Sequence, residues 1–405
     1  MRAPQTRDRS CTFALVAGEK SGDRLGAALM RALKERTGGA IRFAGVGGHD
    51  MAQEGLQSLF PIDNLAIIGF AAIPRQLPLI LRRIRETTQL VLAARPDALV
   101  IIDSPDFTHR VARRVRKAAP SIPIIDYVSP TVWAWRPGRA RAMRSYVDHV
   151  LALLPFEPEA HRRLGGPPCT YVGHPVAEEL ALLRPDAEEA RRRLAEPPLV
   201  LVLPGSRGGE IRRLLPVFGQ AMAILGARRA AIEIVLPTLP HLEARIKAAT
   251  AGWPLQPRIV VDVSEKHAAF RRARAALTKS GTVTLELALA GVPMVAAYKV
   301  SLIEEVVARL AIQVSTANLP NLILGENVVG EYFQRMCTPQ NLADALVPLL
   351  AEGPPRSRQI DAFRRVDRIM DCGAASPSGR AADIVIEIAG RGTDRSRSMD
   401  ASERQ

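Results

Sequence analysis

The segment Ile102-Asp103-Ser104-Pro105-Asp106-Phe107 ends the most apolar run of the chain with two carboxylates three residues apart. A carboxylate at such a strand end suits general-base work. It can take a proton from an incoming hydroxyl, and a nonpolar setting lifts its pKa toward the working range. Asp103 is the candidate base, and Asp106 reads better as a cap of the next helix. A second polar group, Gly18-Glu19-Lys20-Ser21-Gly22-Asp23, follows the first apolar run. Its glycines let backbone amides approach a ligand, and the helix start behind it favours anions. Glu19 is placed to read a sugar hydroxyl, while Ser21 and Asp23 either face that ligand or cap the helix. Trp133 and Trp135, two of the chain's three Trp, stand next to Arg136; the pair either packs a core or grips an amphipathic ligand. His174, in Gly173-His174-Pro175, either orients substrate or caps a turn.

Two further turns lie in the second half. Gly205-Ser206-Arg207 follows an apolar run and precedes Glu210 and a helix, and Ser280-Gly281-Thr282 stands in the same relation to Glu286. A glycine turn with a basic residue at a helix start suits a diphosphate. Ser280, Gly281 and Thr282 offer amides and hydroxyls, and Glu286 can accept from a ribose diol. The earlier loop, residues 18–23, is not a Walker loop, since GxxxxGK followed by Ser or Thr is absent. Gly45-Val46-Gly47-Gly48 resembles a dinucleotide fingerprint, but Asp50 stands where the third glycine belongs, which excludes that reading.

These loops need strands ending beneath them and helices starting after them. Short apolar runs alternate with helical periodicity throughout, which predicts an α/β protein with parallel sheets covered on both faces. The rhythm breaks near 176–195 and restarts. The expectation is two doubly wound Rossmann-like domains facing a cleft, over 12–176 and 177–350, with ligands at the carboxyl ends of strands. Residues 1–11 read as a tail, GPPRSRQ after Leu350 as a linker, 351–390 as C-terminal helices and 391–405 as a disordered tail.

The 405 residues carry 55 Lys+Arg against 41 Asp+Glu, a net charge of +14, which calls for an acidic partner or a drift of surface composition. Aromatic content of 4% leaves few stacking platforms, so nucleic acid is not the expected partner. The 4 Cys are scattered without metal spacing and read as free thiols. No run reaches the length of a membrane span. The apolar stretch 65–84, ending in arginines, reads either as a membrane-interface segment or as core helix plus linker.

With AGEKSGD, GVGG, IDSPDF, YVSPTVWAWR, LPFE, GHP, LPGSRGGE, SGTVTLE, PMVAAYK and LPNLILGE in this order, the chain resembles the lipid-A-disaccharide synthase family, glycosyltransferases of the GT-B architecture, over about residues 12–350. The resemblance implies inverting transfer of 2,3-diacylglucosamine from its UDP derivative to 2,3-diacylglucosamine 1-phosphate (lipid X). The products are the β-1,6-linked disaccharide 1-phosphate and UDP. It implies Asp103 as base, Glu19 as a further required carboxylate and Arg207 as the cation facing the leaving UDP. It also puts Asn321 and Gln334 beside the nucleotide. No metal and no other cofactor is implied, and the missing DxD motif agrees. Ser21, Gly22, Asp23, Trp133, Trp135 and His174 fall to the acceptor and lipid side. The implied setting is the cytoplasm, peripheral on an anionic inner-membrane surface; exchange of C-terminal segments in the family leaves a homodimer open. The alternative is another GT-B UDP-sugar transferase or epimerase acting on a sugar without acyl chains.

Overall fold

The computed structural model describes residues 11–65, 73–229, 231–301, 305, 314 and 316–402. They divide into two compact units, the first built from residues up to Pro175 and again from Cys372 onward, the second from Val176–Asp371.

The first unit holds a parallel sheet of β1 (Cys11–Ala17), β2 (Ile41–Val46), β3 (Ala98–Ile102), β4 (Ile124–Tyr127), β5 (His149–Ala152) and β6 (Cys169–Tyr171), in the order β2-β1-β3-β4-β5-β6. Successive side chains of one strand feed two cores. Phe13, Leu15 and Ala17 meet Leu29, Met30 and Leu33 of the helix Lys20–Thr37. Ala14 and Val16 meet the face that holds Ile84, Val111 and Val115. Burial on both faces is why these strands are continuous apolar runs rather than alternating ones. The helix Pro377–Ser402 returns to this unit: Ala381, Ala382, Val385 and Ala389 join the first of these cores, and Arg380 donates to the Tyr171 carbonyl at 3.1 Å.

The second unit holds β7 (Leu199–Leu203), β8 (Glu233–Pro237), β9 (Arg258–Val260), β10 (Ala275–Lys279), β11 (Met294–Tyr298) and β12 (Glu331–Phe333), ordered β12-β11-β10-β7-β8-β9. In each unit the chain moves outward from its first strand and then crosses back to that strand's other side. The order therefore reverses between β1 and β3, and again between β7 and β10. Open α/β sheets bind ligands at the carboxyl ends of strands flanking such a reversal.

Two sequence expectations change here. Residues 391–402, read as a disordered tail, continue the helix Pro377–Ser402. GPPRSRQ is not a linker: Pro354 and Pro355 start the helix Pro354–Met370, where the missing amide costs nothing, and Arg356 and Gln359 are buried. In the apolar stretch 65–84, Pro78 lies inside the helix Ile73–Ala94, near its start. Of that stretch, residues 66–72 lie outside the described residues, as do the side chains of 73–76, Arg75 included.

Part of the basic excess is structural. Arg193 is buried and donates to the carbonyls of Phe270, Arg271, Ala290 and Gly291 at 2.9–3.1 Å, where two helices end. Arg274 does the same for Arg193 and Leu350, and Arg356 for Leu349 and Arg274. Helix C-termini leave carbonyls unpaired and carry partial negative charge, so a guanidinium satisfies both needs. Burial holds Arg193 and Arg356 down to about 10.

Candidate active site

The first reversal brings together loops that are 82 residues apart. Gly18 lies against the turn after β3: a Cβ there would stand 2.6 Å from Ser104 Cβ, so only glycine lets the two loops close. Ser21 Oγ then donates to Asp103 Oδ2 at 3.0 Å, and the Ser104 amide donates to Asp103 Oδ1 at 2.8 Å. Asp103 and Ser104 both have left-handed backbone, φ +54 and +46. Two such residues in succession cost about 1–3 kcal/mol each, and strain of this kind collects at functional sites. The result is a half-buried, oriented carboxylate at the carboxyl end of the switch strand. Glu19 is exposed beside it and does not cap the helix.

Neither Ser21 nor Asp23 caps the helix either. Asp23 is turned inward: its carboxylate accepts from the amides of Gly48, Asp50 and Met51 at 2.7–3.0 Å. It holds the GVGG turn and is not available to an acceptor. Gly22 is buried, its Cα face toward the Ile102 carbonyl. Asp106 makes no cap; it lies in the first helical turn, 3.6 Å from Arg139.

The loop after β4 carries the tryptophans. Val128 at φ +88 and Arg136 at φ +52 bracket it, and a β-branched residue in that region is an outlier held only by its surroundings. Trp133 packs edge-on against Phe156 at 5.1 Å, while Trp135 is 39% exposed with Arg136 stacked over it at 5.0 Å. The two Trp thus divide between packing and a surface. His174 is half-buried at the end of this unit.

The side chain that fixes this loop is Glu157 of the LPFE motif, to which the sequence alone assigns no role. Its Oε1 accepts from Trp133 Nε1 at 3.1 Å, and its Oε2 from the amides of Leu153 and Leu154. One helical turn on, His161 Nε2 meets Ser129 Oγ at 2.8 Å. Burial pushes the Glu157 carboxyl up to about 7, against the pull of its three donors. The folded-state value lies above the unfolded one, so the neutral form is favoured by folding. Its contribution is whole below about pH 4.5 and is lost as pH rises through 7. The first unit should lose about 3 kcal/mol across that window, and Glu157→Gln should flatten the difference between urea unfolding at pH 5 and at pH 7.5.

The second reversal joins the loops after β7 and β10. Gly205, at φ +104, has Glu210 Oε2 where a Cβ would stand, 2.3 Å away. That approach lets Glu210 accept from the Arg207 amide at 3.3 Å, while the Arg207 side chain is 79% exposed and Ser206 is exposed. The helix Gly208–Arg228 starts here, so amides, dipole and a guanidinium all offer positive charge to an anion. Glu286 is half-buried and accepts from Lys266 Nζ at 2.8 Å, a partner that sequence reading missed. Gly281 is half-buried and Thr282 exposed in the facing turn.

Three expected nucleotide residues have partners within the fold. The Ser280 hydroxyl donates to Glu331 at 3.1 Å and its side chain is buried. Asn321 is buried, accepting from the amides of Val328 and Val329 and donating to the Val329 carbonyl. The Gln334 amide bonds both polar backbone groups of Val300 and the carboxylate of Glu305. Among the described residues no group of three His, Cys, Asp or Glu is placed to hold a metal ion.

Comparison with known proteins agrees with this architecture. The lipid-A-disaccharide synthase of Nitrobacter hamburgensis is 63% identical over 373 residues, 92% of this chain and 94% of that protein. That of Bradyrhizobium diazoefficiens is 59% identical over 388 residues, 96% and 99% of the two. Among solved structures, UDP-GlcNAc 2-epimerase from Neisseria meningitidis bound to UDP-GlcNAc matches at TM-score 0.61 and 11% identity, over 93% of this chain and 98% of that one. MurG of Acinetobacter baumannii matches at 0.55 and 14%, over 94% and 100%. At those identities the structures share the fold alone, the two-sheet α/β fold of GT-B glycosyltransferases and epimerases expected from the sequence. The description of the lipid-A-disaccharide synthetase family matches residues 13–385, and with that span and those relatives the chain belongs to that family.

Proposed function

We propose that the chain catalyses the inverting condensation of UDP-2,3-diacylglucosamine with 2,3-diacylglucosamine 1-phosphate, giving the β-1,6 lipid A disaccharide 1-phosphate and UDP. The observation that carries the mechanism is the oriented carboxylate of Asp103 on the switch strand of a member of this family. The 6-hydroxyl oxygen of the acceptor attacks C1 of the donor sugar. Its proton passes to Asp103, the bond from C1 to the diphosphate oxygen breaks, and the anomeric centre inverts. Glu19 faces the sugars beside it. Charge on the departing UDP is met by Arg207, the amides of Gly205 and Ser206 and the helix they begin, with Gly281, Thr282 and Glu286 opposite. Ser21 acts by orienting Asp103. Trp133, Trp135 and His174 are assigned to the acceptor side. An assay with acylated UDP-glucosamine and lipid X, read by UDP release and disaccharide, tests this. Equal rates with UDP-glucosamine lacking acyl chains would instead favour a transferase or epimerase for soluble sugars.

Both substrates are lipids, so the enzyme is assigned to the cytoplasmic face of an anionic membrane, held peripherally. No helix among the described residues is long and apolar enough to cross a membrane. Leu77 and Leu81 are exposed one turn apart on the same side of the helix Ile73–Ala94, and Leu79 is exposed elsewhere on it, apolar exposure that supports docking. Arg82 and Arg83 share Glu86 at 2.7 and 2.8 Å, which leaves that trio with one net positive charge beside exposed Arg85. Apolar contact should therefore dominate: alanine at the three leucines should abolish binding to anionic vesicles, and high salt should weaken it only in part. Retention by the triple variant would remove this helix from the docking surface.

A further inference from the structure

We propose that Lys279 is a second diphosphate-binding cation, held on Glu210 until a nucleotide diphosphate takes it over; this rests on the UDP-sugar reading of the same loops. Lys279 is the last residue of β10, at the reversal point of the second sheet. Its side chain is 18% exposed. The ammonium does not extend into solvent. It folds back over the turn it precedes, with Nζ 2.9 Å from where a Cβ of Gly281 would stand and 5.3 Å from the centroid of the Tyr298 ring.

Among the described residues its ion-pair partner is Glu210, with Oε1 at 3.3 Å. The same oxygen lies 3.8 Å from Arg207 Nη1, and the other accepts the Arg207 amide. One nearly buried carboxylate therefore ties together cations from both loops of the reversal point. An ammonium offers three donors, and a carboxylate oxygen shared with a guanidinium is a poor match for them. A diphosphate, with several charged oxygens and more than one negative charge, is a better one. On its arrival Lys279 and Arg207 transfer to the phosphates from opposite loops, and Glu210 keeps the Arg207 amide. In the absence of ligand Glu210 offsets one of the two charges, which lowers the cost of crowding two cations at one site.

The test uses the full-length protein with UDP titrated by calorimetry and uridine by ligand-observed NMR. Lys279→Met should raise the Kd for UDP about ten- to hundredfold, the effect of losing a charged contact, with uridine unchanged within about twofold. Lys279→Arg should recover most of the UDP affinity. Unchanged thermal unfolding of both variants separates binding from folding. A UDP Kd within about twofold of wild type in Lys279→Met, or equal weakening of UDP and uridine, would overturn the proposal while leaving the nucleotide site intact. Wild-type protein that binds no UDP would overturn the nucleotide reading itself, and this inference with it.

Discussion

Asp103→Asn should lower turnover of acylated UDP-glucosamine and lipid X by about 10²–10⁴-fold, the usual contribution of a general base. The substitution suits the local backbone. Asp103 sits at φ +54, and Asn, enriched like Asp in the left-handed region, adds no strain there where Ala would. The amide oxygen can still accept from Ser21 or from the Ser104 amide, so the contact at 3.0 Å between the loops of β1 and β3 need not be lost. What disappears is the capacity to hold a proton. UDP affinity should stay within about twofold of wild type, because the base acts on the acceptor while UDP is held by the second unit. Turnover within tenfold of wild type would sink the base assignment; a parallel loss of UDP binding would mean that the variant damages more than the proton transfer.

The sequence displays the sheets well because both are buried on two faces, so each central strand is a continuous apolar run such as ALVII or LVLVL that no amphipathic helix resembles. It does not display strand order, and strand order is what makes the ends of β1, β3, β7 and β10 special. Asp103 and Arg207 nonetheless stand out as candidates, since both lie in polar turns directly after such runs. Other roles depend on burial and on distant partners. Glu157 and Lys279 are ordinary surface residue types until folding surrounds them with Trp133 and Glu210. Asp23, Ser280, Asn321 and Gln334 sit in motifs that invite a ligand, yet each spends its polar atoms on the fold. Arg356 looked like linker because its carbonyl partner Arg274 is 82 residues away.

Asp23 gives the second large effect, of the opposite kind. It is 2% exposed and accepts from the amides of Gly48, Asp50 and Met51. The helix they begin, His49–Gln53, is far too short to be stable alone. The carboxylate of Asp23 supplies from another element what an N-cap would supply locally, to the positive end of a helix. Asp23→Ala leaves up to three amide donors without acceptors in a site closed to water, each worth about 1–3 kcal/mol but not additive, so a loss of about 3–5 kcal/mol is expected. For a unit of this size that corresponds to a fall in Tm of roughly 10 °C. Below its transition the variant should turn over within a few-fold of wild type, since Asp103, Ser21 and Glu19 are untouched. The two variants therefore separate cleanly: Asp103→Asn keeps the melting temperature and loses activity, whereas Asp23→Ala lowers the melting temperature and keeps activity. An Asp23→Ala protein with wild-type Tm and abolished turnover would return Asp23 to the substrate side of the loop.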